Sequence, residues 1–137
     1  VEVADWQLSC TGHVNHELSF SLDQLRKMPS KTLECTIECA GNGRAFLTPP
    51  AKGLLWELGA VGNANWTGVP LSEILKQAGV KENAVEVILE GADKGEVSAD
   101  PKSPGPIPFA RSVPLAKAQS GDVILAYQMN GEDLTPE

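Results

Sequence analysis

Glycine and proline interrupt this sequence along its whole length and restrict it to short elements. They account for 13 and 10 of the 137 residues, respectively. Glycine favours turns and strained backbone, and proline ends helices and removes a backbone donor. The pattern therefore excludes a helical bundle and predicts many turns and long irregular connections, in which we expect the functional residues to lie.

Size and charge narrow the class of protein further. A chain of 137 residues fits one domain, because single domains usually run to about 100 to 200 residues. The formal net charge of −7 argues against nucleic acid or an anionic membrane as the main partner, since a surface that binds phosphates is basic. No apolar stretch approaches the roughly 20 residues that a membrane-spanning helix needs. The chain opens with Val1 rather than Met, so the sequence leaves open whether a targeting signal has been removed.

A strand followed by a glycine-rich loop is the most informative local pattern. Residues 31–39 alternate, so that Leu33, Cys35, Ile37 and Cys39 share one face, which we expect to be buried. The next five residues are Ala40, Gly41, Asn42, Gly43 and Arg44. Such a loop lets backbone approach a ligand closely and then presents a guanidinium group, which makes this strand end a candidate site.

The other elements follow from ordinary patterns. Alternation predicts a hairpin over residues 6–22, and a helix follows over 22–28, with Ser21 as its cap and Pro29 as its end. The remaining predictions are an irregular ordered segment at 46–69, a helix from Pro70 to Gly79, a strand at 85–90 closed by 91–93, an extended proline-rich stretch at 95–108, a helical turn at Pro114 and a strand at 123–129.

Asn130-Gly131 is the strongest hairpin signal, yet only six residues follow it. We expect a returning strand that barely begins, and hence a chain that is a truncated piece of a longer protein. An unpaired strand edge invites association, so a homodimer is a further expectation.

Cys39 has two interpretations from its surroundings alone. A cysteine on an apolar strand face is more often a small buried hydrophobe than a ligand. The second interpretation is a thiolate that ligates a metal beside a group that binds anions. It is favoured by the glycine-rich loop, by Asn42 and by Arg44. The cysteines number three, so at least one thiol stays unpaired.

Other metal and catalytic chemistries are less well supported. His13, His16, Cys35 and Cys39 have the ligand types of a zinc site, but the histidines fall in a predicted turn and the cysteine spacing is unusual. A cysteine nucleophile would need a base, and these are the only two histidines.

Several motifs in order resemble one known family. They are Glu38-Cys39-Ala40-Gly41-Asn42-Gly43-Arg44, residues 59–71, Glu90-Gly91-Ala92-Asp93, Ser112-Val113-Pro114-Leu115 and residues 125–132. Together they resemble the molybdopterin-binding domain of the sulfite oxidase family, in its bacterial sulfite dehydrogenase-like branch. The resemblance implies an α+β fold of mixed sheets with short helices, incomplete here.

The resemblance also implies a function and its residues. Cys39 would ligate molybdenum carried by molybdopterin, Arg44 would contact an anionic substrate such as sulfite, and Asp93 would contact the pterin. The implied reaction is oxygen-atom transfer to or from a small sulfur oxyanion, with electrons passed to a cytochrome or haem. Family relatives favour a periplasmic location, and the truncated chain itself is expected to be inactive.

One departure from the family bears on the substrate. Animal and plant members carry two consecutive arginines after the asparagine, whereas this chain has Gly43 and then Arg44. One cationic donor is lost, so a different sulfur oxyanion or a sulfoxide competes with sulfite as substrate. A module that keeps the scaffold without a cofactor, for structure or interaction, is the alternative function.

Overall fold

The computed structural model describes residues 3–98 and 100–135. Short strands and helices alternate along the chain, and two 3-10 turns lie at Val3–Asp5 and Arg44–Phe46. The strands and helices are, in order, β1 (Gln7–Cys10), β2 (Leu18–Ser21), α1 (Leu22–Arg26), β3 (Lys31–Glu38), β4 (Val61–Pro70), α2 (Leu71–Ala78), β5 (Glu86–Gly95), β6 (Ile107–Pro114), α3 (Leu115–Ala118), β7 (Ile124–Met129) and β8 (Glu132–Asp133). The predicted α+β class is confirmed.

The chain forms two compact units. One contains Leu22–Val69 together with the chain from Ile124 onward and the first few residues, and the other contains Gln7–Ser21 together with Pro70–Val123. The first unit holds a four-stranded sheet in the order β3-β4-β7-β8, and the second holds the two pairs β1-β2 and β5-β6.

The four-stranded sheet positions the residues of interest. Strands β3 and β4 are antiparallel, with Lys31 opposite Gly68 and Glu38 opposite Val61. The predicted irregular segment was therefore wrong from residue 61 onward, where a ten-residue strand runs instead. Of the glycines that suggested a loop, Gly68 has a packing reason, because a side chain there would collide with the backbone of Leu125 and Ala126.

The predicted burial of one β3 face was also wrong. Leu33 is half-buried, but Cys35 and Cys39 are exposed and Ile37 is 55% exposed. Strand β3 is the first in the sheet order and pairs with β4 alone. Alternation indicates that a face is apolar, whereas burial also requires an element that covers it.

Helix α2 supplies the core of the second unit. Pro70 precedes its first turn, and Gly79 ends it with a φ of 65° and an N–H that donates to the Leu75 carbonyl at 3.0 Å. Its buried residues recur at helical spacing and are Leu71, Ile74, Leu75 and Ala78. The predicted helix is confirmed.

The remaining elements match the predicted ones with one extension. The opening hairpin, α1, the helical turn after Pro114 and strand β7 are confirmed. Strand β5 continues to Gly95, through the turn predicted at 91–93. Those three residues form a bulge between Glu90 and Lys94, after which the pairing with β6 resumes. Asn130 and Gly131, with φ of 53° and 84°, make the tight turn into the two-residue β8. Among the described residues, no helix is long and apolar enough to cross a membrane.

Candidate functional site

Cys39 lies immediately after strand β3 and is exposed. Its backbone N–H donates to the Ala60 carbonyl at 2.9 Å, which ties the end of β3 to the residue before β4. The sulfur accepts the backbone N–H of Gly41 at 3.4 Å. The first interpretation of this cysteine, a small buried hydrophobe, is therefore wrong. An exposed thiol on a fixed strand end is free to take a ligand role.

The loop after Cys39 is a tight turn held by its own backbone. The Asn42 N–H donates to the Cys39 carbonyl at 2.9 Å, and the Arg44 N–H donates to the Gly41 carbonyl at 3.0 Å. Gly43 has a φ of 77°, in the left-handed region, and its N–H donates to the Glu57 carbonyl at 2.6 Å. A glycine is favoured at this position because a side chain would strain this backbone conformation.

Asn42 fastens the loop to both neighbouring strands. Its Nδ2 donates to Glu38 Oε1 at 2.8 Å, and its Oδ1 accepts the Ala60 N–H at 3.0 Å. The Asn42 amide therefore joins the last residue of β3 to the chain just before β4. The sequence indicated a polar residue between Cys39 and Arg44, but this bridging role depends on Ala60, which lies 18 positions away.

Arg44 is half-buried, and its guanidinium bonds to a backbone carbonyl. Its Nη1 donates to the Leu54 carbonyl at 3.1 Å. Within residues 3–98 and 100–135, no ion pair includes Arg44. A guanidinium that is partly removed from water and lacks a counter-ion favours an anionic ligand, for which it offers paired donors.

Gly41 contacts both predicted site residues. Its amide donates to the Cys39 sulfur, and its Cα faces the guanidinium of Arg44, so that no side chain would fit between them. The structure thus brings Cys39 and Arg44 together around one buried glycine.

Asp93 lies in the other unit. It is exposed, it falls in the bulge of β5, and its carboxylate lies against Gly91. The link of this residue with the loop of Cys39 remains a prediction of the sequence.

The structure gives no support to the zinc alternative. His13 Nε2 lies 2.8 Å from the Glu82 carbonyl oxygen, which satisfies the ring in the turn where the sequence placed it. Across the described parts of the chain, no group of three or more His, Cys, Asp and Glu residues is placed to hold a metal ion.

Comparisons with known proteins agree with the motifs. A family model described as the oxidoreductase molybdopterin binding domain matches residues 1–137. The mitochondrial sulfite oxidase of Drosophila melanogaster is 41% identical over 136 residues, which cover 96% of this chain and 22% of that protein. The nitrate reductase [NADH] of Petunia hybrida is 35% identical over 141 residues, which cover 97% of this chain and 15% of that protein.

A solved structure shares the fold. The sulfane dehydrogenase SoxCD from Paracoccus pantotrophus superposes with a TM-score of 0.77 at 32% sequence identity, over 98% of this chain and 32% of that one. The chain spans less than a third of the length of each of these relatives. Since the family model covers every residue and the fold agrees, the chain belongs to the oxidoreductase molybdopterin-binding domain family.

Proposed function

We propose that the protein carrying this chain is a molybdenum-cofactor-dependent oxidoreductase of sulfite oxidase type. Its reaction would be oxygen-atom transfer to or from a small sulfur oxyanion. The observation that carries the proposal is the exposed Cys39 just after β3, next to Arg44, which forms no ion pair with any residue that the structure describes.

The residues of this loop fit a molybdenum cofactor. Thiolate is a soft ligand suited to a transition metal that is already coordinated by sulfur. The Gly41 N–H donates to the Cys39 sulfur, and such a donor stabilises negative charge on a ligand. When bound, molybdopterin with molybdenum supplies the redox chemistry, for which the protein provides position and electrostatics.

Cys39 would hold the metal in a fixed position. Its backbone is bonded to Ala60, and the Asn42 amide braces the loop between Glu38 and Ala60. A ligand whose backbone is held by these hydrogen bonds keeps its orientation when substrate binds and product leaves. The geometry that oxygen-atom transfer requires is thereby preserved.

Arg44 would bind and orient the substrate anion. With Nη1 bonded to the Leu54 carbonyl, Nε and Nη2 have no hydrogen-bond partner among the described residues. The planar guanidinium offers paired donors, which suit the oxygens of a sulfur oxyanion. The absence of a second arginine at position 43 removes one donor and leaves the identity of the oxyanion open.

Asp93 would contact the pterin, and a cytochrome or haem would accept the electrons. Both proposals depend on the family resemblance. A carboxylate accepts hydrogen bonds from the N–H groups that a pterin presents, and the exposed position of Asp93 leaves it accessible to such a ligand.

Replacement of Cys39 tests the proposed metal ligand. We expect Cys39→Ser in the complete gene product to lower turnover of sulfite more than about 100-fold, because a hydroxyl is a poor substitute for a soft thiolate ligand. Cys35→Ser is the matched control, since Cys35 is an exposed cysteine on β3, the strand that Cys39 follows. Metal-dependent turnover that survives in Cys39→Ser would contradict the assignment.

Metal analysis distinguishes the enzyme from the alternative function. An enzyme of this type should contain about one molybdenum per chain when isolated from its native host. Protein that contains no molybdenum when isolated from that host would favour the alternative, a structural or interaction module without a cofactor.

A further inference from the structure

Two glycines leave space for the guanidinium of Arg44. A Cβ atom built on Gly41 would lie 2.7 Å from Arg44 Cζ, and one built on Gly53 would lie 2.9 Å from the same atom. Real Cβ atoms do not approach other heavy atoms so closely. Gly41 belongs to the loop of Cys39, whereas Gly53 comes from the irregular segment that leads to β4.

We propose that Gly41 and Gly53 are positioning residues for Arg44, and that together they form a slot that sets the orientation of its guanidinium. We call this pair the glycine slot. The proposal rests on the proposed function of Arg44 as the contact for the substrate anion. It adds a residue outside the conspicuous motifs, Gly53, to the machinery for substrate binding.

The hydrogen bond of Arg44 indicates what the slot achieves. Leu54, next to Gly53, accepts the Nη1 donor of Arg44. The same backbone segment therefore provides both the space for the guanidinium and the acceptor that fixes its rotation. Because one edge of the guanidinium is held in this way, Nε and Nη2 keep a constant direction for an oxyanion, and less side-chain entropy is lost on binding.

The two glycines differ in a way that makes the proposal testable. Gly53 has a φ of 119°, so a side chain there would strain the backbone as well as displace Arg44. Gly41 lies outside the set of glycines with positive φ, and the three heavy atoms nearest to its added Cβ all belong to the Arg44 side chain. Alanine at position 41 should therefore keep the fold and keep the N–H that donates to Cys39, while it displaces the guanidinium.

The experiment compares Gly41→Ala with Arg44→Ala in the purified holoenzyme. We expect Gly41→Ala to raise the KM for sulfite about tenfold or more, the effect of a lost charged hydrogen bond, with a smaller change in kcat. The dissociation constant for sulfate, measured by calorimetry, should rise by a similar factor. The molybdenum content and the Tm should stay close to those of the wild type.

A double variant separates a positioning role from a structural one. If Gly41 acts through Arg44, Gly41→Ala should change sulfate affinity little in the Arg44→Ala background. Gly59→Ala is the matched control, because a Cβ there has no atom within 4 Å. Unchanged sulfate affinity in Gly41→Ala, where Arg44→Ala weakens it, would overturn the glycine slot. Unchanged affinity in Arg44→Ala would instead overturn the proposed function of Arg44.

Gly53→Ala gives a second, independent measurement. We expect it to weaken sulfate binding at least as much as Gly41→Ala and also to lower the Tm. Gly12→Ala controls for backbone strain, since Gly12 has a φ of 95° and open space around it. Sulfate affinity that is as normal in Gly53→Ala as in Gly12→Ala would contradict the slot.

Discussion

Cys10, Cys35 and Cys39 are all free thiols, but their surroundings differ. Cys35 and Cys39 are exposed on or just after β3, whereas Cys10 is partly buried at the end of β1. Burial raises the pKa of the Cys10 thiol, because the charged thiolate loses solvation there. These differences separate a thiol suited to packing from one that is accessible to a ligand.

Alkylation of the cofactor-free chain tests this ranking. At pH 8 we expect iodoacetamide to modify Cys35 and Cys39 before Cys10, because the raised pKa of Cys10 leaves less thiolate and its burial limits access. Peptide mass spectrometry at timed intervals gives the order. In concentrated urea the three rates should converge. Faster modification of Cys10 in the folded chain would contradict the burial described here.

The pairing of β3 with β4 brings the loop of Cys39 and the chain before β4 to the same end of the sheet. Glu38 lies opposite Val61, so the residues beyond these two meet: the Ala60 carbonyl accepts the Cys39 N–H, and the Ala60 N–H donates to Asn42 Oδ1. The close approach of β7 to β4 at Gly68 keeps the sheet together on the other side of β4. The loop geometry thus depends on strand pairing between distant parts of the chain.

Two glycines of β4 should respond in opposite ways to alanine. Gly68→Ala would place a Cβ against the backbone of Leu125 and Ala126, so we expect a loss of about 1–3 kcal/mol in the free energy of unfolding. Gly62→Ala meets no atom within 4 Å and should be neutral or stabilising by up to about 1 kcal/mol. Urea unfolding of both variants measures the difference. Equal stabilities would show that β7 does not approach β4 so closely.

The molecule buries few large side chains and exposes many. The largest fully buried side chains among the described residues are Ile74 in α2 and Val69 near the end of β4. Exposed apolar side chains lie on both units and include Ile37, Leu54, Leu55, Ile88 and Phe109. Apolar surface of this extent usually marks a site of contact with other protein.

Self-association of the isolated chain follows from this surface and from the short pairing of β8 with β7. Strand β8 pairs with Gln128 and Met129, and the Leu134 N–H donates to the Tyr127 carbonyl at 2.9 Å, so among the described residues this pairing stops short of residues 124–126. We expect light scattering to give a mass above 14.5 kDa at micromolar concentration, and we expect the chain to bind a hydrophobic dye. A monodisperse monomer that binds no dye would contradict this expectation.

Much of the fold was predictable because its signals are local. The apolar spacing of α2, with Pro70 before it and Gly79 after it, predicts the helix that is observed. The Asn130-Gly131 turn was predictable in the same way, since positive φ at both positions suits these residues. Strand β4 was not predictable, because a glycine-rich segment resembles a loop in the sequence. The glycine at position 68 is explained only by the backbone of β7, which approaches it closely.

For the site, the sequence by itself determined which residues carry the chemistry. A thiol, two glycines, an amide and a guanidinium follow one another in residues 39–44, and residue type and order are properties of the sequence. Only the tertiary structure decided that Cys39 is exposed and that Asn42 bonds to Ala60. It also decided that the missing side chain of Gly53 leaves space for the Arg44 guanidinium. These contacts join residues that are far apart along the chain, and only the pairing and packing of the strands bring them together.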